Sequence, residues 1–164
     1  MIWKMFVEHF IGTSFILNDT WLSNFVMQLF TDSAGGMGKG CGCYLFGNWS
    51  ILQWSIEWYH TDILKDITFL EMIHIALSVF LWDRVFKRKK IAFHVDNLEV
   101  VTVLNSKSSK SPRVFHISSA NNCVADVLSR GQFQKFKELA PEADTFPIAV
   151  PMEFWSLLNS ILSI

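Results

Sequence analysis

The chain has few cysteines, almost no net charge and no leader-like start, and each shortage removes a class of protein. Its three cysteines, Cys41, Cys43 and Cys123, make neither a disulfide framework nor a four-ligand zinc set. Reduced thiols in an intracellular protein, cytoplasmic or nuclear, are the simpler expectation. The apolar N-terminus is interrupted by Lys4, Glu8 and His9, and no small-residue cleavage site follows. Neither a signal peptide nor a membrane span is therefore expected. No internal repeat is present. The glycine-rich residues 35–40 do not match a nucleotide phosphate loop, because Gly40 follows Lys39 where Ser or Thr is needed.

What the chain does have is apolar mass: 164 residues, 51% of them hydrophobic, with seven Trp and fifteen Phe. That is enough for one domain with a real core and too much for extended disorder. The net charge of −1 argues against a strongly basic nucleic-acid binder but conceals an asymmetry. Ten of the fourteen basic residues lie between Lys87 and Lys137, where only Asp96, Glu99 and Asp126 are acidic. The segment is thus basic and the remainder acidic, as a nucleic-acid-facing strip would require.

Residues 1–24 read as an apolar lead-in, 25–140 as the domain, and 141–164 as a tail punctuated by Pro147 and Pro151. Strands are expected at 27–32, 41–46 and 49–58, a meander turned by the glycines and by Gly47-Asn48. Apolar residues three and four apart predict a helix over 68–86, its end complemented by Lys87 to Lys90, a cluster that also suits nuclear import. A fourth strand at 91–96, a helix at 98–105 capped by Asn97, a short strand at 113–117, and helices at 122–130 and 135–140 follow. The apolar residues 154–158 are expected to fold back or to meet a partner. If the first strand pairs in parallel with the fourth, Asp32 and Asp96 come side by side at their C-terminal ends, the edge where open α/β sheets hold ligands.

Four acids stand out. Asp32 and Asp96 each end an apolar strand, Glu71 lies near the start of the long helix, and Asp126 lies in a short one. Carboxylates so placed are costly to bury as charges unless a cation compensates them. Each also has a plainer use. Thr68-x-x-Glu71 fits a capping box, Asp96 could cap the next helix, Asp32 could organise the glycine turn, and Asp126 could be solvated. Trp49, Trp54 and Trp58 could stack on bases, although packing is the commoner fate of tryptophan.

The segments T-D-S-A-G-G at 31–36, F-L-E-M at 69–72, H-V-D-N at 94–97 and A-D-V-L-S-R at 125–130 resemble the ribonuclease H domain of retroelements. The chain is most similar to the reverse-transcriptase-linked domain of DIRS-type retrotransposons, through S-S-K-S-P at 108–112, H-I-x-x-x-x-N at 116–122 and L-A-P-E-A at 139–143. The resemblance runs from about Trp21 to Trp155. It implies a ribonuclease H-like α/β fold with a mixed sheet of five strands, and hydrolysis of RNA in RNA–DNA hybrids beside a reverse transcriptase domain. Asp32 would bridge two Mg²⁺ ions, or Mn²⁺ in their place, with Glu71, Asp96 and Asp126 completing the shells. Hard oxygen ligands suit these ions, and two of them about 4 Å apart activate a water and stabilise the leaving oxygen. Ser33, Gly35, Asn97, Lys107, Lys110 and Arg113 are the expected nucleic-acid contacts. His116, which could serve as a proton shuttle, is expected to be structural, and His94, on the same strand face as Asp96, could contact the cluster but has no catalytic counterpart in the family.

One departure from the family pattern is plain. A long helix normally found between the third and fourth acids is missing, and Ser111-Pro112-Arg113-Val114 runs straight into Phe115-His116-Ile117. Such a helix buries several large side chains at roughly 1.5–3 kcal/mol each. Its loss should bare one sheet face near the fourth and fifth strands, lower stability and endanger the position of Asp126. The alternative function is then a non-catalytic remnant that binds nucleic acid or protein.

Overall fold

The computed structural model describes residues 21–87, 89–107 and 113–162, so Lys110, the polar stretch 108–112 and most of the lead-in lie outside the described residues. Six strands form two three-stranded sheets. The first sheet is parallel, with strand order β1 (Trp21–Ser23), β5 (Lys90–Val95), β6 (Arg113–His116). The second is an antiparallel meander of β2 (Leu29–Ser33), β3 (Gly40–Leu45) and β4 (Asn48–Gln53). A single mixed sheet was expected, and the difference has a local cause. Between β1 and β2 the chain turns through a four-residue helix, α1 (Asn24–Met27), and Gln28 adopts a left-handed φ of 49°. Residues 21–23, not 27–32, thus pair in parallel with β5, and residues 29–33 pair with β3.

The β3–β4 connection follows from hairpin geometry. Leu45 faces Asn48, leaving the two-residue loop Phe46-Gly47 with φ of 48° and 86°. Two consecutive positive φ angles give the turn whose twist matches the strands, and glycine takes one of them without steric cost. β4 ends at Gln53, five residues before the expected limit. The chain then forms short 3₁₀ turns at Ile56–His60 and Asp62–Lys65. Trp54 and Trp58, one helical step apart, are buried with their rings stacked at 5.7 Å, while Trp49 packs on Phe136. These tryptophans are spent on packing.

The long helix α2 (Ile67–Leu81) is started by Asp66, whose side chain accepts from Phe69 N at 3.0 Å. It stops at Trp82, and the last turn of the expected helix is a separate piece, α3 (Asp83–Phe86). Further along the chain come α4 (Leu98–Lys107), α5 (Cys123–Ser129), α6 (Phe133–Leu139) and α7 (Met152–Leu162).

Strand parity divides the core into two layers. Leu29, Cys41, Cys43, Leu45 and Leu52 face Leu70, Ile73 and Leu77 of α2, in a core that also takes in Ile91, Phe93 and Val95 of β5, and Val100 and Leu104 of α4. On the other side Tyr44 and Trp49 meet Val127, Leu128 and Phe136 of α5 and α6. α5 lies directly on β3 because position 42 is glycine; a Cβ there would meet Leu128 Cβ at 2.4 Å. The tail folds back. Ile148 N donates to Trp49 O at 2.7 Å, and Phe154 and Leu158 are buried in the larger core, with Phe154 against Phe80. Arg113 and Phe115 on β6 are exposed.

Among the described residues, no helix is long and apolar enough to cross a membrane.

Candidate metal centre

Three of the four acids converge. Asp32 is the next-to-last residue of β2, Asp96 directly follows β5, and Glu71 projects from the second turn of α2. They come from three separate elements where the parallel sheet, the antiparallel sheet and α2 meet. One carboxylate oxygen from each lies within 4.8 Å of the others. Asp32 and Glu71 are buried, and Asp96 is half-buried.

Hydrogen bonds orient each acid. Ser129 Oγ donates to Asp32 Oδ2 at 2.7 Å, and Ser119 Oγ donates to Asp96 Oδ2 at 2.8 Å. Ser33 N donates to Glu71 Oε1 at 3.3 Å. Glu71 Oε2, in contrast, is buried with no hydrogen-bond partner among the described residues. His74 Nδ1 stands 3.5 Å from it, and burial pushes the His74 imidazole down to about 3, so the ring is neutral.

Withdrawal from water and repulsion by neighbouring carboxylates make Asp32 and Glu71 hard to ionise. Burial first, then the charges of Asp96 and Asp126, lift Asp32 to about 7 against the pull of the Ser129 hydroxyl. Burial, Asp32 and Asp96 lift Glu71 to about 9. Arg130 is the cation facing this corner from α5, but its Nε is committed to Asp126 Oδ1 at 2.7 Å and its side chain is 45% exposed. It relieves Asp32 only weakly.

The plainer uses of the first three acids do not hold. Asp66, not a Thr68–Glu71 box, caps α2, and Thr68 donates to Glu99 instead. Asn97, whose Oδ1 accepts from Glu99 N and Val100 N, caps α4, leaving Asp96 available. Asp32 turns towards α5, while the glycine turn is closed by Ala34 N donating to Gly40 O. Asp126 is different. It stands outside the trio with its side chain 37% exposed and paired with Arg130, though near enough for its charge to raise Asp32.

The expected nucleic-acid contacts divide. Ser33 is buried and its hydroxyl is spent inside on Leu70 O and His74. Gly35 answers a packing need, since a Cβ would meet Leu64 O at 2.6 Å. Asn97 is occupied as a cap, and Lys107 ends α4. Arg113 is exposed, with its guanidinium 5.0 Å from the centre of the Trp21 ring. His94 packs on Phe115 at 5.4 Å, and His116 is exposed on β6. Ser129, Ser119 and His74 escaped notice in the sequence, although Ser129 and His74 each stand three residues after one of the four acids and so share its helix face.

Searches against protein-family profiles, curated proteins and solved structures found no match.

Proposed function

We propose that the chain is a divalent-metal-dependent nuclease of the ribonuclease H type that hydrolyses the RNA strand of RNA–DNA hybrids. One observation carries this reading: Asp32, Glu71 and Asp96 converge from three elements, and Glu71 Oε2 is buried with no hydrogen-bond partner among the described residues, His74 Nδ1 standing 3.5 Å away. A buried oxygen left unpaired costs about 1–3 kcal/mol, more if charged, which a bound cation would remove. The donors are all carboxylate oxygens, the set chosen by Mg²⁺ or Mn²⁺ over softer ions. The residues fit such an ion. The strand arrangement is compatible with the reading: parallel β1, β5 and β6 adjoin antiparallel β2, β3 and β4, and Asp32 of β2 meets Asp96, which follows β5, where the two sheets come together.

When bound, the cation supplies Lewis acidity and lowers the pKa of a coordinated water. The protein's part is orientation. Asp32, Glu71 and Asp96 would hold the ion, with Ser129 and Ser119 fixing two of the carboxylates at the oxygens they bond. In the mixture of acids and neutral groups at this corner, Arg130 is placed to attract the phosphodiester once Asp126 releases it. A second cation would need Asp126, and hence the breaking of its pair with Arg130. The basic stretch from Lys87 to Lys137 would track the hybrid backbone, and contacts to 2′-hydroxyls would select RNA. The resemblance places such a domain beside a reverse transcriptase.

The Asp126–Arg130 pair favours one competing reading, a domain that binds hybrids without cutting them. Labelled hybrid incubated with protein and Mg²⁺ decides between them. The proposal expects cleavage by the natural sequence and none by Asp96→Asn. Binding that weakens with salt, with no cleavage at any metal concentration, would overturn it in favour of the competitor.

A further inference from the structure

Behind the three acids lies a second layer of buried polar groups that no hydrolytic role requires. Ser33 Oγ contacts Leu70 O at 2.7 Å and His74 Nδ1 at 3.2 Å. His74 Nε2 is buried with no partner among the described residues, and the whole ring is inaccessible to solvent. The position of the ring proton follows from these contacts. A serine hydroxyl has one proton, and the short contact to Leu70 O takes it, because two oxygens at 2.7 Å need a proton between them. Ser33 Oγ can then only accept from His74, so Nδ1 carries the imidazole proton. The alternative tautomer would leave a buried N–H at Nε2 facing no acceptor, the more costly kind of orphan.

The Nδ1–H so placed faces Ser33 Oγ on one side and Glu71 Oε2, 3.5 Å away, on the other. Ser33 in turn holds the opposite oxygen of the same carboxylate through its backbone N–H. Ser33 is the residue after Asp32, so the network ties the Glu71 turn of α2 to the strand carrying Asp32.

We infer that His74 is a positioning residue for the metal site: its Nδ1–H, acting with Ser33, holds the Glu71 carboxylate so that Oε1 turns back to β2 and Oε2 is presented to a divalent cation. This inference rests on the trio being a metal site and adds what prepares it. Partners behind the ligands commonly contribute ten- to a hundredfold to metal affinity.

The test uses the full chain and Mn²⁺ as the probe, with affinity read by calorimetry and ring protonation by ¹⁵N NMR. An asparagine amide nitrogen can stand where Nδ1 stands, whereas a glutamine amide reaches towards Nε2. His74→Asn is therefore expected to keep Mn²⁺ affinity within about threefold of the natural protein. His74→Gln and His74→Leu should each lose about tenfold or more. The NMR spectrum of the natural protein should show protonated Nδ1 and bare Nε2, and it remains decisive should a variant fail to fold. Mn²⁺ binding unchanged in His74→Leu, or a proton on Nε2, would overturn the inference while leaving the metal site standing. A natural protein that takes up no Mn²⁺ would overturn both.

Discussion

Replacing Asp32 by asparagine should stabilise the metal-free protein, and by an amount that grows with pH. Asp32 is raised from 3.8 to about 7, chiefly by burial, so the folded state holds its proton more tightly than the unfolded chain does. The sign follows from linkage. Stability is greatest below the unfolded value and falls as pH rises through the interval up to about 7, because folding must then either retain a proton or bury a charge. A shift of about three units at about 1.4 kcal/mol each amounts to about 4 kcal/mol once the interval is passed. At pH 5 only about 2 kcal/mol of this is felt. Asparagine keeps the shape and can still accept from Ser129 Oγ through its amide oxygen, but carries no charge. For a chain of this size each kcal/mol moves the melting temperature by roughly 2–4 °C. Thermal melts in EDTA should therefore put Asp32→Asn above the natural protein by about 10 °C at pH 8.5 and by about half that at pH 5. Saturating Mg²⁺ should reverse the order at pH 8.5, since only the natural protein gains from binding. Equal melts at pH 8.5, or a gap that does not change with pH, would refute the argument.

Other consequences concern the same corner and its supports. Because Asp32 and Glu71 are held protonated up to about 7 and about 9, Mn²⁺ must displace protons, so its affinity should climb between pH 6 and pH 9 and calorimetry in buffers of different ionisation enthalpy should register proton release. Gly42→Ala would place a Cβ 2.4 Å from Leu128 Cβ and 3.0 Å from Ser129 N, pushing α5 and the Ser129 hydroxyl away from Asp32. Denaturant titration should show a loss of about 1–3 kcal/mol, with weaker metal binding in the folded fraction. Phe154→Ala should cost about 3–5 kcal/mol in the same titration, since the ring is fully buried against Phe80, and a tail that merely brushed the domain would give a far smaller loss.

Much of the site could be read from the chain because its residues break local patterns. Asp32 and Asp96 stand where apolar strands would otherwise continue, and Glu71 interrupts an apolar helix face, so each stands out as a carboxylate in need of compensation. The expected elements also survive in order, since the 3.6- and 2-residue periods are local properties. What escaped depends on contacts between distant residues. The turn between β1 and β2 passes through Gln28 at φ 49°, a conformation that no glycine marks in advance. The third strand was overextended because Trp54, Ile56 and Trp58 alternate as a strand would, yet Trp54 finds its acceptor, Ala34 O, across the hairpin at 2.7 Å. The Asp126–Arg130 pair is an ordinary i,i+4 helix contact, and it engages the carboxylate that the resemblance assigned to the trio. The tail could not be assigned to the core from its own composition, because Phe154 and Leu158 need Phe80 and its neighbours to cover them.

Anomalous diffraction from crystals soaked in Mn²⁺ at pH 8 tests the central claim most directly. A peak bonded to oxygens of Asp32, Glu71 and Asp96 is the expected result, with Glu71 contributing Oε2. A map with no peak between these carboxylates at saturating Mn²⁺ would contradict it, and the corner would then be a cluster of acids that holds no cation.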